Sequence, residues 1–252
     1  MNSVLRRLAL APVVVLFAAV AQAAEPAIIA KARAFVGAEA TLEAVTSVKF
    51  TGTLTAPDAK DPTKQVTTAL EIIFQKPDQQ RIMMTSNTEI ETTGLDGYEG
   101  WLRRQDPNVA TNWRQMLLGV EQIKRLRANA WENLYYFRGI ERIGGRVEDQ
   151  GTKQINGVTC QKIAFIHSSN IIFIRYFDVA TGKLVLTETE GGGTIRETGE
   201  MMVNGVRFPR TIVTTAKSSK GEEQAVTVNF EKIELNQTFP GSIFRVPSPS
   251  AR

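Results

Sequence analysis

Cysteine and histidine are almost missing from this 252-residue chain, which has one of each, Cys160 and His167. One cysteine excludes an internal disulfide, and one cysteine with one histidine falls short of a typical zinc ligand set. A catalytic triad could be built only around His167. That residue sits in His167-Ser168-Ser169-Asn170 and reads as a polar turn residue rather than a catalytic base. Cys160 lies in the alternating run Val158–Ile163 and reads as a buried, inert thiol. Charge of one sign is scarce too. The formal net charge is +4, and Arg6 and Arg7 alone supply two of those units. So even a balance excludes nucleic acid as a partner, which needs a concentrated basic face. No phosphate loop is present: Gly191-Gly192-Gly193 lacks the lysine and the strand–helix context, and a hairpin turn accounts for it. Glu188, Glu190, Glu197 and Glu200 around that turn read as a solvated strand face, with a carboxylate pair for glycosidic chemistry as the alternative. These shortages point away from an enzyme and imply no cofactor and no metal.

A long apolar run occurs only at the N-terminus. Arg6-Arg7 precede the uncharged stretch Leu8–Val20, and Ala21-Gln22-Ala23 follow as a small-x-small cleavage site. That order is a secretory signal peptide over residues 1–23. The run is shorter than the ~20 residues that span a bilayer. The mature chain, 24–252, is expected to be a single soluble domain that works outside the cytoplasm. Without disulfides it must rely on a hydrophobic core.

Along that chain, Ile28, Ala32, Phe35, Ala38, Leu42 and Val45 recur at helical spacing, predicting an amphipathic helix over 27–45. The period then falls to two. Strands are expected at 48–54, 66–75, 80–86, 88–95 and 98–103, with turns at Lys76-Pro77-Asp78 and Asp96-Gly97. Residues 111–137 return to helical spacing through Trp113, Met116, Leu117, Val120, Ile123, Leu126, Ala130, Leu134 and Phe137. This segment reads as one long helix or two short ones broken near Gly119 or Asn129. From Arg142 the chain is strand and turn, including 183–190, 194–202, 206–216 and 224–235. The proline-punctuated tail 239–247 is expected to dock as an irregular segment.

The fold class is therefore α+β, a large antiparallel β-sheet with two helical segments. A sheet of that size must twist and curl. Helices over its concave face would leave a cavity, the usual form of an apolar ligand site. Consecutive large residues such as Ile171-Ile172-Phe173-Ile174 mean strands buried on both faces. The helical stripe Trp113, Met116, Val120 and Ile123 reads either as ordinary core or as a lid lining the cavity. With Phe74 and Trp101 from the sheet, these are the candidate ligand-binding residues.

Several phrases in order carry a family likeness: Val45–Gly52 after the first helix, Asp96–Trp101 before the helical insert, Ile155–Ile163, Tyr176–Leu184, Val203–Pro209 and the closing Ile243–Pro247. In these the chain resembles the LolA/LolB-like periplasmic lipoprotein-carrier superfamily, in particular its lipoprotein-sorting proteins. The resemblance implies a half-open barrel whose helices cover the concave side. It implies a carrier or chaperone for lipoprotein or lipid cargo, moving it toward the outer membrane without chemistry. It also implies an inner-membrane release complex or an outer-membrane acceptor as partners. The alternative is an envelope sensor or interaction module that uses the same groove for a protein segment.

Overall fold

The structure, a computed structural model, describes residues 25–58, 61–218 and 221–248. The expected signal peptide lies outside these. The chain opens with α1 (Ala27–Val36) and the short α2 (Glu39–Glu43). Five strands follow: β1 (Ser47–Pro57), β2 (Gln65–Gln75), β3 (Gln79–Thr85), β4 (Ile90–Asp96) and β5 (Glu99–Gln105). Then come β6 (Trp113–Leu117) and α3 (Val120–Tyr135). The second half holds β7 (Arg146–Ile155), β8 (Val158–Ser168), β9 (Ile171–Asp178), β10 (Leu184–Thr189) and β11 (Thr194–Thr198). It ends with β12 (Met201–Val203), β13 (Val206–Phe208), β14 (Thr211–Lys217) and β15 (Glu223–Leu235).

Thirteen strands form one antiparallel sheet in the order β6-β5-β4-β3-β2-β1-β15-β14-β11-β10-β9-β8-β7. The two halves of the chain each run as a meander, and the central β1–β15 pair joins them. The sheet is not closed; β6 and β7 are its edges. It curves around the helices, as expected of so many strands. Gly52 marks an irregularity in the β1–β15 register, where a Cβ would fall 1.9 Å from the Asn229 carbonyl oxygen.

Alternation along each strand divides the side chains between the faces. On the concave face Val48, Phe50, Phe74, Leu95, Phe230, Ile233 and Leu235 pack with Leu42, Ala130 and Leu134 from the helices. Beside this, Ile29 and Ala32 of α1 pack on Ile163, Phe165 and Phe177. A smaller cluster of Ile155, Cys160, Tyr176 and Leu186 lies on the convex face. Burial there pushes the Cys160 thiol up from its ordinary value, with Asp178 adding to the shift. Strand β9 is thus covered on both sides, which its run of large residues requires.

Three expectations change. The helix over 27–45 is broken, because Gly37 is extended and pairs with Val206. The helical segment 111–137 begins as a strand: residues 113–117 pair with β5, and helix starts only after Gly119. Trp113-Arg114-Gln115-Met116-Leu117 fits either period, and pairing satisfies backbone groups that β5 would otherwise leave open. The strands expected at 194–202 and 206–216 are each cut, at Gly199 with φ +66° and at Pro209, so β12 and β13 leave the sheet as a separate hairpin. That hairpin folds against α1. The tail docks as expected, on the convex face, with Phe244 fully buried.

Candidate functional site

Between the sheet and α3 lies a cavity of about 290 Å³, near the lower end of the ~300–1,000 Å³ usual for small-molecule sites. Its apolar wall is built from alternate strand positions: Phe50, Ile72 and Phe74 on one side, Phe173, Ile212 and Phe230 on the other. Phe208 of the β12–β13 hairpin adds a further wall. Phe50 is the hub, with ring centroids 6.2 Å from Phe74, 5.7 Å from Phe208 and 4.7 Å from Phe230.

The helix contributes polarity to this cavity. Asn129, Glu132 and Asn133 of α3 face it. The Glu132 carboxylate meets His167 Nε2 at 2.6 Å and accepts a hydrogen bond from Arg175 Nη1. Burial raises the Glu132 pKa, but the Arg175 charge and the His167 bond outweigh it and hold the carboxyl below its usual range. Arg175 also lies 4.7 Å from the Phe165 ring centroid and 5.0 Å from that of Phe137. Its charge is therefore held by one carboxylate and by aromatic faces.

Glu197 of β11 differs. It lines the same cavity and makes no hydrogen bond or ion pair among the described residues. Burial pushes its carboxyl above the usual range, with Arg175 pulling the other way. Glu197 also lines a small outer pocket beside Phe35, Glu200 and Arg207, so it stands at the neck between that pocket and the main cavity.

Arg33 of α1 joins the helices. It is 4% exposed. Its Nη1 donates to the Tyr135 and Tyr136 carbonyls at 2.8 Å each, and its other nitrogens hold Glu39 at 2.7 and 2.9 Å. Those carbonyls end α3, where four C=O groups lack intrahelical partners and cations are favoured.

The candidate ligand-binding residues are scattered over three places. Phe74 lines the main cavity. Val120 and Ile123 line a second groove of about 500 Å³, alongside His167 and Ile171. Since Glu132 lines the cavity and His167 the groove, their contact lies between the two. Trp101 and Trp113 point to the convex face. Trp101 Nε1 donates to the Phe244 carbonyl at 2.7 Å, and its indole covers Gly94, where a Cβ would fall 2.3 Å from the ring. Trp113 stacks on Arg103. Met116, on the edge strand, is 58% exposed.

Two sequence readings are corrected by this geometry. His167 is not a turn residue; it continues the concave face after Ile163 and Phe165, and its side chain is only 5% exposed. That alternation was the available signal. The four glutamates do not form one solvated cluster. Glu188 accepts from the Tyr176 hydroxyl, Glu190 pairs with Arg125, Glu200 pairs with Arg207, and Glu197 faces the cavity. Glu132, Arg175 and Arg33 gave no signal in the sequence, because their roles depend on contacts far apart in the chain.

No protein-family model and no curated protein matches the chain. Solved structures do. A candidate outer membrane lipoprotein-sorting protein domain from Vibrio parahaemolyticus is 11% identical with a TM-score of 0.56, covering 86% of this chain and 94% of that one. A LolA superfamily protein from Nitrosomonas europaea is 12% identical, also with a TM-score of 0.56, covering 87% and 96%. A DUF1329 family protein from Desulfovibrio piger is 8% identical with a TM-score of 0.54, covering 87% and 96%. The chain therefore has the LolA-like fold, an open curved antiparallel sheet with helices on its concave face.

Proposed function

We propose that this protein is a periplasmic carrier that holds an acyl-bearing cargo, a lipid or a lipoprotein, in the cavity under α3. The cavity carries this reading, because its wall of phenylalanine and isoleucine side chains suits acyl chains. Apolar burial stabilises such a complex by ~0.8 kcal/mol per CH₂. No chemical step is needed. Transfer toward the outer membrane is the role that the lipoprotein-sorting neighbour suggests, and the family resemblance adds an inner-membrane release complex or an outer-membrane acceptor as the partner. Export rests on the three-part order of residues 1–23, and no helix among the described residues is long and apolar enough to cross a membrane.

Native mass spectrometry of protein purified from its own envelope tests the carrier. Bound lipid or acylated peptide is the expected result; a bare chain that also ignores hydrophobic dyes would retire it. A fusion of residues 1–30 to a reporter should be cleaved near Ala23 and released outside the inner membrane. An uncleaved, membrane-held fusion would remove the periplasmic assignment.

A second reading is an interaction module. Tyr98, Met116, Leu117 and Val120 favour it, since these apolar residues are all exposed near the start of α3. Such a module should co-purify with an envelope protein rather than with lipid.

A further inference from the structure

Resting on the carrier reading, the geometry points to a cargo whose polar head carries an amine: an amphiphile with its ammonium group against Glu197 and its chain in the cavity.

The placement of charge supports this. Arg175 is matched by Glu132. At the neck, Arg207 pairs with Glu200, donates through Nε to the Phe35 carbonyl at 3.1 Å and lies over the Phe35 ring. Lys183 stands 3.8 Å from the same Glu200. Among the charged side chains of the described residues that line the cavity and its neck, Glu197 alone makes no hydrogen bond or ion pair. A carboxylate facing an apolar cavity without a partner is costly unless something compensates it. In the empty protein a proton can do so, which agrees with the upward displacement of its pKa. An ammonium head can replace that proton: the carboxyl releases it to solvent and the ammonium donates to the carboxylate oxygens. An anionic head would meet Glu197 unfavourably, and the Arg175 charge is already engaged. Position fits as well. Glu197 is at the neck, while Phe50, Phe74 and Phe230 lie on the cavity wall, so head and chain have separate places.

The test uses delipidated mature protein and four ligands below their micelle concentrations: dodecylamine, dodecanoate, dodecanol and butylamine. Binding is read by displacement of a fluorescent dye and by calorimetry. Dodecylamine should bind at least tenfold more tightly than dodecanoate and also more tightly than dodecanol. Butylamine, an ammonium without the chain, should bind at least a hundredfold more weakly. Glu197→Gln should remove most of the amine preference, while Glu188→Gln on the convex face should keep it. A wild-type protein that prefers dodecanoate, or treats the three long ligands alike, overturns the inference, and that ranking needs no variant. An amine preference that survives Glu197→Gln overturns it too. If dodecanol also fails to bind, the carrier reading falls with it; if dodecanol binds without any amine preference, only the present inference falls.

Discussion

Arg33 and Glu197 are both charged groups at the helix-covered face, and they work in opposite senses. Arg33 is buried with all its contacts satisfied, two of them the terminal carbonyls of α3. Arg33→Ala leaves those carbonyls and Glu39 without it and should cost about 2–3 kcal/mol in urea unfolding; a loss under about 0.5 kcal/mol would show that the helices do not depend on it. The Arg33 guanidinium beside Glu39 holds that carboxyl below its usual range. Its contribution is therefore present above the unfolded value and fades as pH falls through the lower folded value. Glu197 reverses the sign. Its carboxyl is raised by burial, so its contribution is full below the unfolded value and is lost as pH rises through the folded one. Ligand-free Glu197→Gln should thus gain melting temperature over wild type at pH 7.5 relative to the same comparison at pH 4. An equal difference at both values would mean that Glu197 is solvated.

At the scale of elements, α3 matters most. It packs on the concave core through Ala130 and Leu134, while Asn129, Glu132 and Asn133 look into the cavity. Cargo entry by opening requires this helix to move. Arg127 pairs with Asp78 in the β2–β3 turn at 3.4 Å, and both side chains are partly exposed. Cysteines at these two positions, joined by a short thiol-reactive bridge, should lower dye or lipid uptake at least tenfold compared with the same variant left unbridged. Equal uptake in the two forms would show that α3 stays in place. The helix itself was legible from its 3.6-residue period, but its first turn and its facing were not. Trp113–Leu117 reads as helix by spacing and becomes strand because β5 offers it backbone partners. The apolar stripe suggested a greasy lid, yet the main cavity receives polar residues from α3, because the neighbouring strands claim its apolar ones.

Across the whole molecule, the open sheet is braced from outside by its own C-terminus. Phe244 is fully buried, its carbonyl accepts from Trp101, and Pro247 accepts from Gln115 of β6 at 3.3 Å. The tail thus fastens the β5–β6 edge, which belongs to the first half of the chain. Phe244→Ala should cost about 3–5 kcal/mol, as for other buried aromatic truncations. The unfolding midpoint and Trp101 fluorescence check it together. A small change in stability with unaltered fluorescence would mean that the tail is not part of the cooperative unit.

By itself the amino-acid sequence determined the α+β class, the meander of antiparallel strands, the buried thiol at Cys160 and the docking of the tail. The strands and the buried thiol follow from period-two alternation and turn residues, the helices from their 3.6-residue spacing, and the tail from its proline-punctuated apolar run; all are signals between near neighbours in the chain. Only the tertiary structure decided that Gly37 would break the first helix, that Gly199 and Pro209 would release a hairpin toward α1, and that Glu132, His167 and Arg175 would meet. Pattern shows which face of an element is apolar; it does not show which face a partner will cover. Glu197 illustrates the difference: in sequence it is one of four glutamates around a turn, and in the fold the alternation of β11 points it alone into the cavity, where burial and the lack of a partner give its charge a meaning that its neighbours lack.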